Sequence, residues 1–211
     1  ELLEIPLKGT IGIHPSLLPK YRGASPIQSV ILNDEKETGT AIFQIDEKVD
    51  HGAVISSKSL VISDKDNYET LEEKLAELSA DLFIETAPKW LTGEITPEIQ
   101  NEAGATYTKK FITGDAEIGS VGLISSISPV NPINAKEIWL KIRALNPEPG
   151  VFTMIPLNNG KEMRLKLLEA GYENDKLILT KVQPEGKRIM TYKEFLNGYK
   201  NLIRANPLLR Q

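Results

Sequence analysis

Apolar positions along the chain follow two rhythms. Between residues 66 and 91 the spacing is helical, with Leu71, Leu75, Leu78, Leu82 and Phe83 recurring on one face. Asp66, followed three residues on by Glu69, predicts a capping box at the start of that helix, with aspartate in place of the usual Ser or Thr. Pro88 predicts a kink or an end, although Trp90 and Leu91 continue the apolar stripe. Upstream the runs are short and strand-like. Gly9 to Ile13 reads as a strand that ends at His14, and Ala41–Ile45 and Ala53–Ser56 read as two more. The loop from Asp46 to Gly52 joins the last two, with Asp50-His51-Gly52 as a turn signal. The stretch from Pro15 to Gly23 is a loop pinned by two prolines and a glycine. After it Ser25 is an N-cap, Pro26 takes the first helical position, and Ile27, Val30 and Ile31 share one face.

Residues 94–116 are mostly polar, with Pro97, Gly104 and Gly114, and predict an extended connection between domains. A second unit begins near Glu117. Asn134, with Glu137 three residues on, starts a short helix whose core face is Ile138, Ile142 and Leu145. Asn146-Pro147-Glu148-Pro149-Gly150 stops it. Short strands follow at Val151–Ile155, Met163–Leu168, Lys176–Val182 and Arg188–Thr191. Turn signals stand at Asn158-Asn159-Gly160 and Gln183-Pro184-Glu185-Gly186. Strands at this spacing predict a small β-barrel of OB type, closed off by a helix over Tyr192–Ile203. The segment Ile118–Pro132, rich in Ser, Gly, Ile and Val, reads as a loop or an insertion.

Composition bounds this picture. The 211 residues suit one large domain or two small ones, and with 40% apolar and 26% charged residues the chain is that of an ordinary globular protein. With no cysteine, disulfide scaffolds and thiolate zinc sites are excluded, and two histidines leave any metal site mostly carboxylate, so no metal is expected. No apolar run approaches the roughly 20 residues that cross a bilayer. The acidic start, Glu1-Leu2-Leu3-Glu4, is unlike a signal peptide. A cytoplasmic protein with no membrane partner is therefore expected. The net charge of −4 hides an asymmetry. Residues 1–116 hold 11 Lys/Arg against 20 Asp/Glu, a balance of −9, while residues 117–211 hold 14 against 9, a balance of +5. A basic C-terminal unit suits a phosphate backbone, and equally an ordinary solvated surface.

Two residues stand out for chemistry. His14 lies at a predicted strand end beside a braced loop, where catalytic groups often sit. Asp50 ends another strand-loop unit. A carboxylate against that imidazole would fix its tautomer, and such a pair can handle a proton or stabilise a developing oxyanion in acyl transfer. Nothing in the spacing shows that they meet. His51 is an alternative partner for the pair, or a surface residue, and the second reading is preferred.

Ile13-His14-Pro15-Ser16-Leu17-Leu18-Pro19-Lys20-Tyr21-Arg22-Gly23-Ala24-Ser25-Pro26-Ile27 resembles the signature segment of the folate-dependent formyltransferases, and most of all their methionyl-tRNA branch. Glu37-Thr38-Gly39, Asp46 and Asp50-His51-Gly52 follow at that family's spacing. Ala105-Thr106-Tyr107-Thr108-Lys109-Lys110 resembles its interdomain connection, and Arg143 to Gly150 the start of its C-terminal domain. The resemblance implies an α/β fold: the C-terminal half of a Rossmann-like formyltransferase domain over residues 1–104, a linker over 105–116, and a small OB-like β-barrel domain over 117–211. It implies formyl transfer from 10-formyltetrahydrofolate, a co-substrate, to the amino group of methionyl initiator tRNA, held by the basic C-terminal domain, in a protein that is a monomer when complete. It assigns catalysis to His14 and Asp50, and the folate site to Ser16, Leu17, Leu18, Pro19 and Asp46.

Two departures go with it. The family's catalytic asparagine stands two residues before the histidine, and here that residue is Gly12, which has no amide. Losing one such donor costs roughly 100–1,000-fold in rate in another enzyme. The chain also starts just before the strand that leads to His14, so an incomplete catalytic domain, weakly active alone, is expected. Two other readings stay open: a sugar-nucleotide formyltransferase of similar architecture, and a degenerate member kept for tRNA binding. Arg22, Lys109 and Lys110 are candidate phosphate contacts or solvated residues. Lys161, Arg164, Lys166, Lys187 and Arg188 could form a basic stripe, with Arg164 and Lys166 on the face opposite Leu165 and Leu167. Phe152, Tyr172 and Tyr192 are read as core rather than as base-stacking rings.

Overall fold

The computed structural model describes residues 3, 5–120, 123 and 134–199. It divides into two compact units, residues 1–110 and 111–211.

In the first unit, three strands form one antiparallel sheet in the order β1-β3-β4: β1 is Ile11–His14, β3 is Glu37–Gln44 and β4 is Val54–Val61. Helix α1, Pro26–Leu32, starts at Ser25 with Pro26 inside its first turn and buries Ile27, Val30 and Ile31, as the sequence predicts. Helix α2, Tyr68–Thr92, packs on β3 and β4. Thr40 and Ile42 point to α2: Ser79 Oγ donates to Thr40 Oγ1 at 2.8 Å, and Ile42, Ile55 and Leu82 form a core with Ile11, Trp90 and Ile95 against it. Each such aliphatic side chain contributes about 1.5–3 kcal/mol on full burial. By alternation, Gly12, His14 and Phe43 line the other face of the sheet.

The helix departs from expectation at three points. Its N-cap is Asn67, whose side chain accepts from the Thr70 amide while the Thr70 hydroxyl accepts from the Asn67 amide. Asp66 is drawn away by other donors, the Ser63 amide at 2.8 Å and Lys74 Nζ at 2.6 Å. Pro88 neither ends nor interrupts the helix, which runs on to Thr92 and stops at Gly93 in the left-handed region, φ 80°. Proline at 88 leaves the Ile84 carbonyl without its intrahelical donor, and that turn is exposed, so water can take its place. Phe83, expected on the core face, is 41% exposed.

A short strand β2, Arg22–Gly23, pairs in parallel with β5, Tyr107–Thr108. Residues 106–108 are therefore stitched to the signature loop, with the Arg22 amide on the Thr106 carbonyl at 2.9 Å and the Tyr21 amide on Thr106 Oγ1 at 2.8 Å.

The second unit contains helix α3, Ala135–Leu145, then β6, Phe152–Pro156, β7, Glu162–Glu173, β8, Lys176–Pro184, β9, Met190–Thr191, and helix α4, Tyr192–Tyr199. The strands form an antiparallel sheet in chain order. Leu145, Ile155, Leu165, Leu167, Val182 and Phe195 are its buried core. Asn146 ends α3 by donating to the Ile142 and Leu167 carbonyls and accepting from the Val151 amide. Asn174 and Asp175, at φ 49° and 60°, make the tight β7–β8 turn in the conformation that two-residue hairpins favour. Among the described residues the sheet is open, and no strand pairing closes it into a barrel. Of the segment expected to be a loop or insertion, residues 121–122 and 124–132 lie outside the described residues, as does the expected continuation of the last helix from residue 200 to Ile203. No helix among the described residues is long and apolar enough to cross a membrane.

Candidate active site

His14 is the last residue of β1, buried beneath the signature loop. Its Nδ1 lies 3.5 Å from Asp50 Oδ2, and its Nε2 lies 2.9 Å from the Tyr21 carbonyl oxygen. A carbonyl oxygen can only accept, so Nε2 is the donor in that contact, and Nδ1 is the nitrogen that faces the carboxylate. The structure brings together two residues 36 positions apart whose meeting the spacing did not show.

Asp50 is held from two sides. Its Oδ2 accepts from the Gly23 amide at 2.7 Å, and its carbonyl accepts from Gln100 Nε2 at 2.9 Å. Its φ is 48°, in the left-handed region, and so is that of Tyr21 at 62°. A tyrosine there is uncommon and needs external support. That support comes from the Tyr21 hydroxyl, which donates to Glu35 Oε1 at 2.6 Å and accepts from Asn33 at 3.0 Å. The result turns the Tyr21 carbonyl onto His14. Burial, and then the Glu35 hydrogen bond, push the Tyr21 phenol up to about 12.

Arg22 corrects both sequence readings, the solvated arginine and the phosphate contact. It is fully buried. Nε and Nη2 donate to Gln100 Oε1 at 3.0 and 2.7 Å, Nη2 to Glu102 Oε1 at 2.7 Å, and Nη1 to Tyr107 Oη at 3.0 Å. Gln100 passes this restraint on, donating to the Asp50 and Gly52 carbonyls at 2.9 and 2.7 Å. Neither Gln100 nor Tyr21 stood out in the sequence. One is a polar residue in a polar stretch, and the other acts through its backbone.

The residues assigned to folate border this network. Ser16 is buried and its hydroxyl donates to the Lys20 carbonyl at 2.7 Å. Leu17, Leu18 and Pro19 are half-buried. Leu17 packs over Gly39, where an added Cβ would lie 2.6 Å from Leu17 Cδ2 and would collide with the Lys58 carbonyl oxygen. Asp46 Oδ2 pairs with His51 Nδ1 at 2.6 Å, and its Oδ1 accepts from the Lys48 amide at 2.9 Å. Burial raises the Asp46 carboxyl, but the His51 and Lys48 hydrogen bonds outweigh it and hold the group below its ordinary value. His51, expected on the surface, is half-buried and also lies 3.5 Å from Glu102 Oε1, so it bridges two carboxylates. Among the described residues, no group of three or more His, Cys, Asp or Glu side chains is placed to hold a metal ion.

In the second unit Arg164 lies 3.6 Å above the Phe152 ring, and its Nε is buried without a hydrogen-bond partner. Arg164 and Lys166 line a shallow pocket with Gln183, Pro184, Glu185 and Gly186, while Leu165 and Leu167 point into the core. Phe152 is buried under that arginine, Tyr172 stacks on Trp139 at 5.5 Å, and Tyr192 stacks on Phe195 at 6.2 Å.

The fold is of the formyltransferase class: residues 1–87 match the formyl transferase family and residues 133–177 the formyl transferase C-terminal domain. Within that class, the chain is 36% identical to a methionyl-tRNA formyltransferase of Dictyoglomus turgidum over 95% of its own length and 67% of the relative's. It is 37% identical to one of Thermodesulfovibrio yellowstonii, over 95% of the chain and 66% of that relative. The chain belongs to the methionyl-tRNA formyltransferase family and spans about two thirds of the length of these relatives. Among solved structures, HypX of Aquifex aeolicus in complex with tetrahydrofolic acid superposes with a TM-score of 0.65 at 16% identity, over 90% of this chain and 35% of that one. An N-formyltransferase of Helicobacter canadensis in complex with folinic acid and dTDP-3-aminofucose superposes with a TM-score of 0.56 at 24% identity, over 78% of this chain and 55% of that one.

Proposed function

We propose that this chain transfers a formyl group from 10-formyltetrahydrofolate to the amino group of methionyl initiator tRNA, a step of translation initiation. The observation that carries this reading is the His14–Asp50 pair, 3.5 Å apart at the end of β1. The folate supplies the activated formyl group. His14 holds or takes up a proton at Nδ1, facing Asp50, and the Tyr21 carbonyl keeps the ring plane constant while it does so. Asp50, itself anchored on the Gly23 amide, offsets the charge on the ring. The attacking amine must be neutral, and a base held this way is suited to keep it so.

The residues on hand fit a folate. Leu17, Leu18 and Pro19 offer half-buried apolar surface for a flat ring system, and Val49, 62% exposed, stands on the loop between Asp46 and Asp50. The Asp46 carboxylate supplies an acceptor for ring amino groups. In the second unit Arg164 and Lys166 would meet the tRNA backbone. The four-stranded sheet is compatible with an OB-like domain, and the protein would act as a monomer.

The test is a formylation assay of the whole chain, with methionyl-tRNA and an amino-sugar nucleotide as competing acceptors. Preference for charged tRNA, lost in His14→Ala, is the expected result. Preference for the sugar nucleotide would move the chain to the other acceptor class. An unchanged rate in His14→Ala would remove His14 from the chemistry.

A further inference from the structure

Gly12 stands in the middle of β1, where glycine is a poor choice: it weakens a strand and packs nothing. Its backbone does not explain it, because Gly12 is absent from the glycines of positive φ. The explanation lies across the sheet. Gly12 pairs with Phe43, and a Cβ built at 12 would lie 2.8 Å from Phe43 Cε1 and 3.0 Å from Cζ, with Ile45 Cγ1 at 3.4 Å. The ring that blocks position 12 is only 5% exposed, so it has little room to move aside. The same ring meets the His14 imidazole edge to face, with centroids 6.5 Å apart and planes at 88°.

We propose that Gly12 and Phe43 are one positioning device for His14: the ring lies over bare backbone at 12 and its edge fixes the imidazole between Asp50 and the Tyr21 carbonyl. Any side chain at 12 displaces the ring, and the displaced ring releases His14. A side chain at 12 and the Phe43 ring therefore compete for one volume. An amide donor, which the family resemblance leads one to look for at 12, cannot be added there unless residue 43 is made smaller. The packing stands independently of the proposed function. Only its catalytic consequence rests on that reading.

The test is a sign reversal. In the 211-residue chain, Gly12→Ala lowers the melting temperature, because the Cβ forces the buried ring to shift. In a Phe43→Leu or Phe43→Ala background the same change raises it, because alanine is the better residue wherever there is room. Two backgrounds guard against one failing to fold. In the native background Gly12→Ala also moves the ring ¹⁵N resonances of His14, which a purely structural role for Phe43 would leave in place. A rise in melting temperature in every background, or unmoved His14 resonances, would overturn the proposal. Formyl transfer separates it from the functional reading. Gly12→Asn combined with Phe43→Leu is expected to exceed Gly12→Asn alone at least tenfold in kcat, with KM little changed. If the reversal and the resonance shift hold while no variant alters transfer, the device stands and the catalytic role of His14 falls.

Discussion

Gln100 joins Arg22 to Asp50 through one amide: its oxygen accepts from Arg22 Nε and Nη2, and its nitrogen donates to the Asp50 carbonyl. The side chain thereby couples the signature loop to the loop that carries the candidate carboxylate. Gln100→Ala would orphan the carbonyls of Asp50 and Gly52 and remove the main buried acceptor of Arg22, at a cost of about 2–4 kcal/mol. Gln100→Glu is the sharper variant. It adds a charge that suits Arg22 but turns an acceptor onto two carbonyl oxygens. We expect both to lower the urea midpoint, and a Gln100→Glu protein as stable as the native one would show that the donor side of the amide is dispensable.

Asp50→Asn separates anchoring from charge. Asparagine keeps an oxygen for the Gly23 amide, so the melting temperature should change little. It removes the charge beside His14, and kcat for formyl transfer should fall by about 10²–10⁴-fold, the range that general acid–base groups supply. Asp50→Ala should lose both. Equal losses of stability in the two variants would mean that the negative charge, and not the acceptor oxygen, holds the loop.

Much of the first unit was legible in the sequence because its signals are local. The proline-braced loop, the Ser25-Pro26 helix start and the apolar face of α2 each declare themselves within a few residues. The Asp66 misreading was also local: aspartate and asparagine are both good N-caps, and only the position of Lys74 decides which is drawn away. The clamp was not legible. Arg22 and Gln100 lie 78 positions apart, and burial of an arginine depends on acceptors that only the fold assembles. Tyr21 was hidden for another reason, since its contribution is a carbonyl that every residue has. Gly12 was visible as a departure, but its partner Phe43 becomes identifiable only through the β1–β3 register.

Tyr21 predicts an alkaline weakness. Its phenol is raised from 10.0 to about 12 in the folded chain, first by burial and then by Glu35, so the folded state holds that proton more tightly than the unfolded one. The resulting stability is fully present below pH 10 and is lost as pH rises toward about 12. Tyr192 in the second unit shifts the same way, to about 12, by burial alone. Tyr21→Phe should therefore be less stable than the native chain at pH 8 and show a flatter fall in melting temperature between pH 10 and 12. An equally steep fall in Tyr21→Phe and Tyr192→Phe would assign the loss to other groups.

Asp66 predicts the acid side. Burial raises its carboxyl, but Lys74, the Ser63 amide and Thr70 together hold it below its ordinary value. Its contribution is present above the unfolded value near 3.8 and is lost as pH falls through the lower folded value. Asp66→Asn should lower the melting temperature at pH 6 and converge on the native chain near pH 2. Parallel curves from pH 6 to 2 would show that the Asp66–Lys74 pair carries no pH-dependent stability.

Salt dependence tests the basic pocket of the second unit. Each phosphate that a protein neutralises releases counterions, so removing one contact lowers the slope of log K against log salt by about 0.7–0.9. Arg164 and Lys166 line the pocket, whereas Lys181 is already paired with Glu169 on the same sheet. Arg164→Ala and Lys166→Ala should each weaken tRNA binding and reduce the slope by close to one, with Arg164→Ala also costing stability because its guanidinium covers Phe152. Lys181→Ala should change the slope less than either. A Lys181→Ala slope that falls as far as that of Lys166→Ala would mean that the tRNA backbone reads net charge across the sheet and not this pocket.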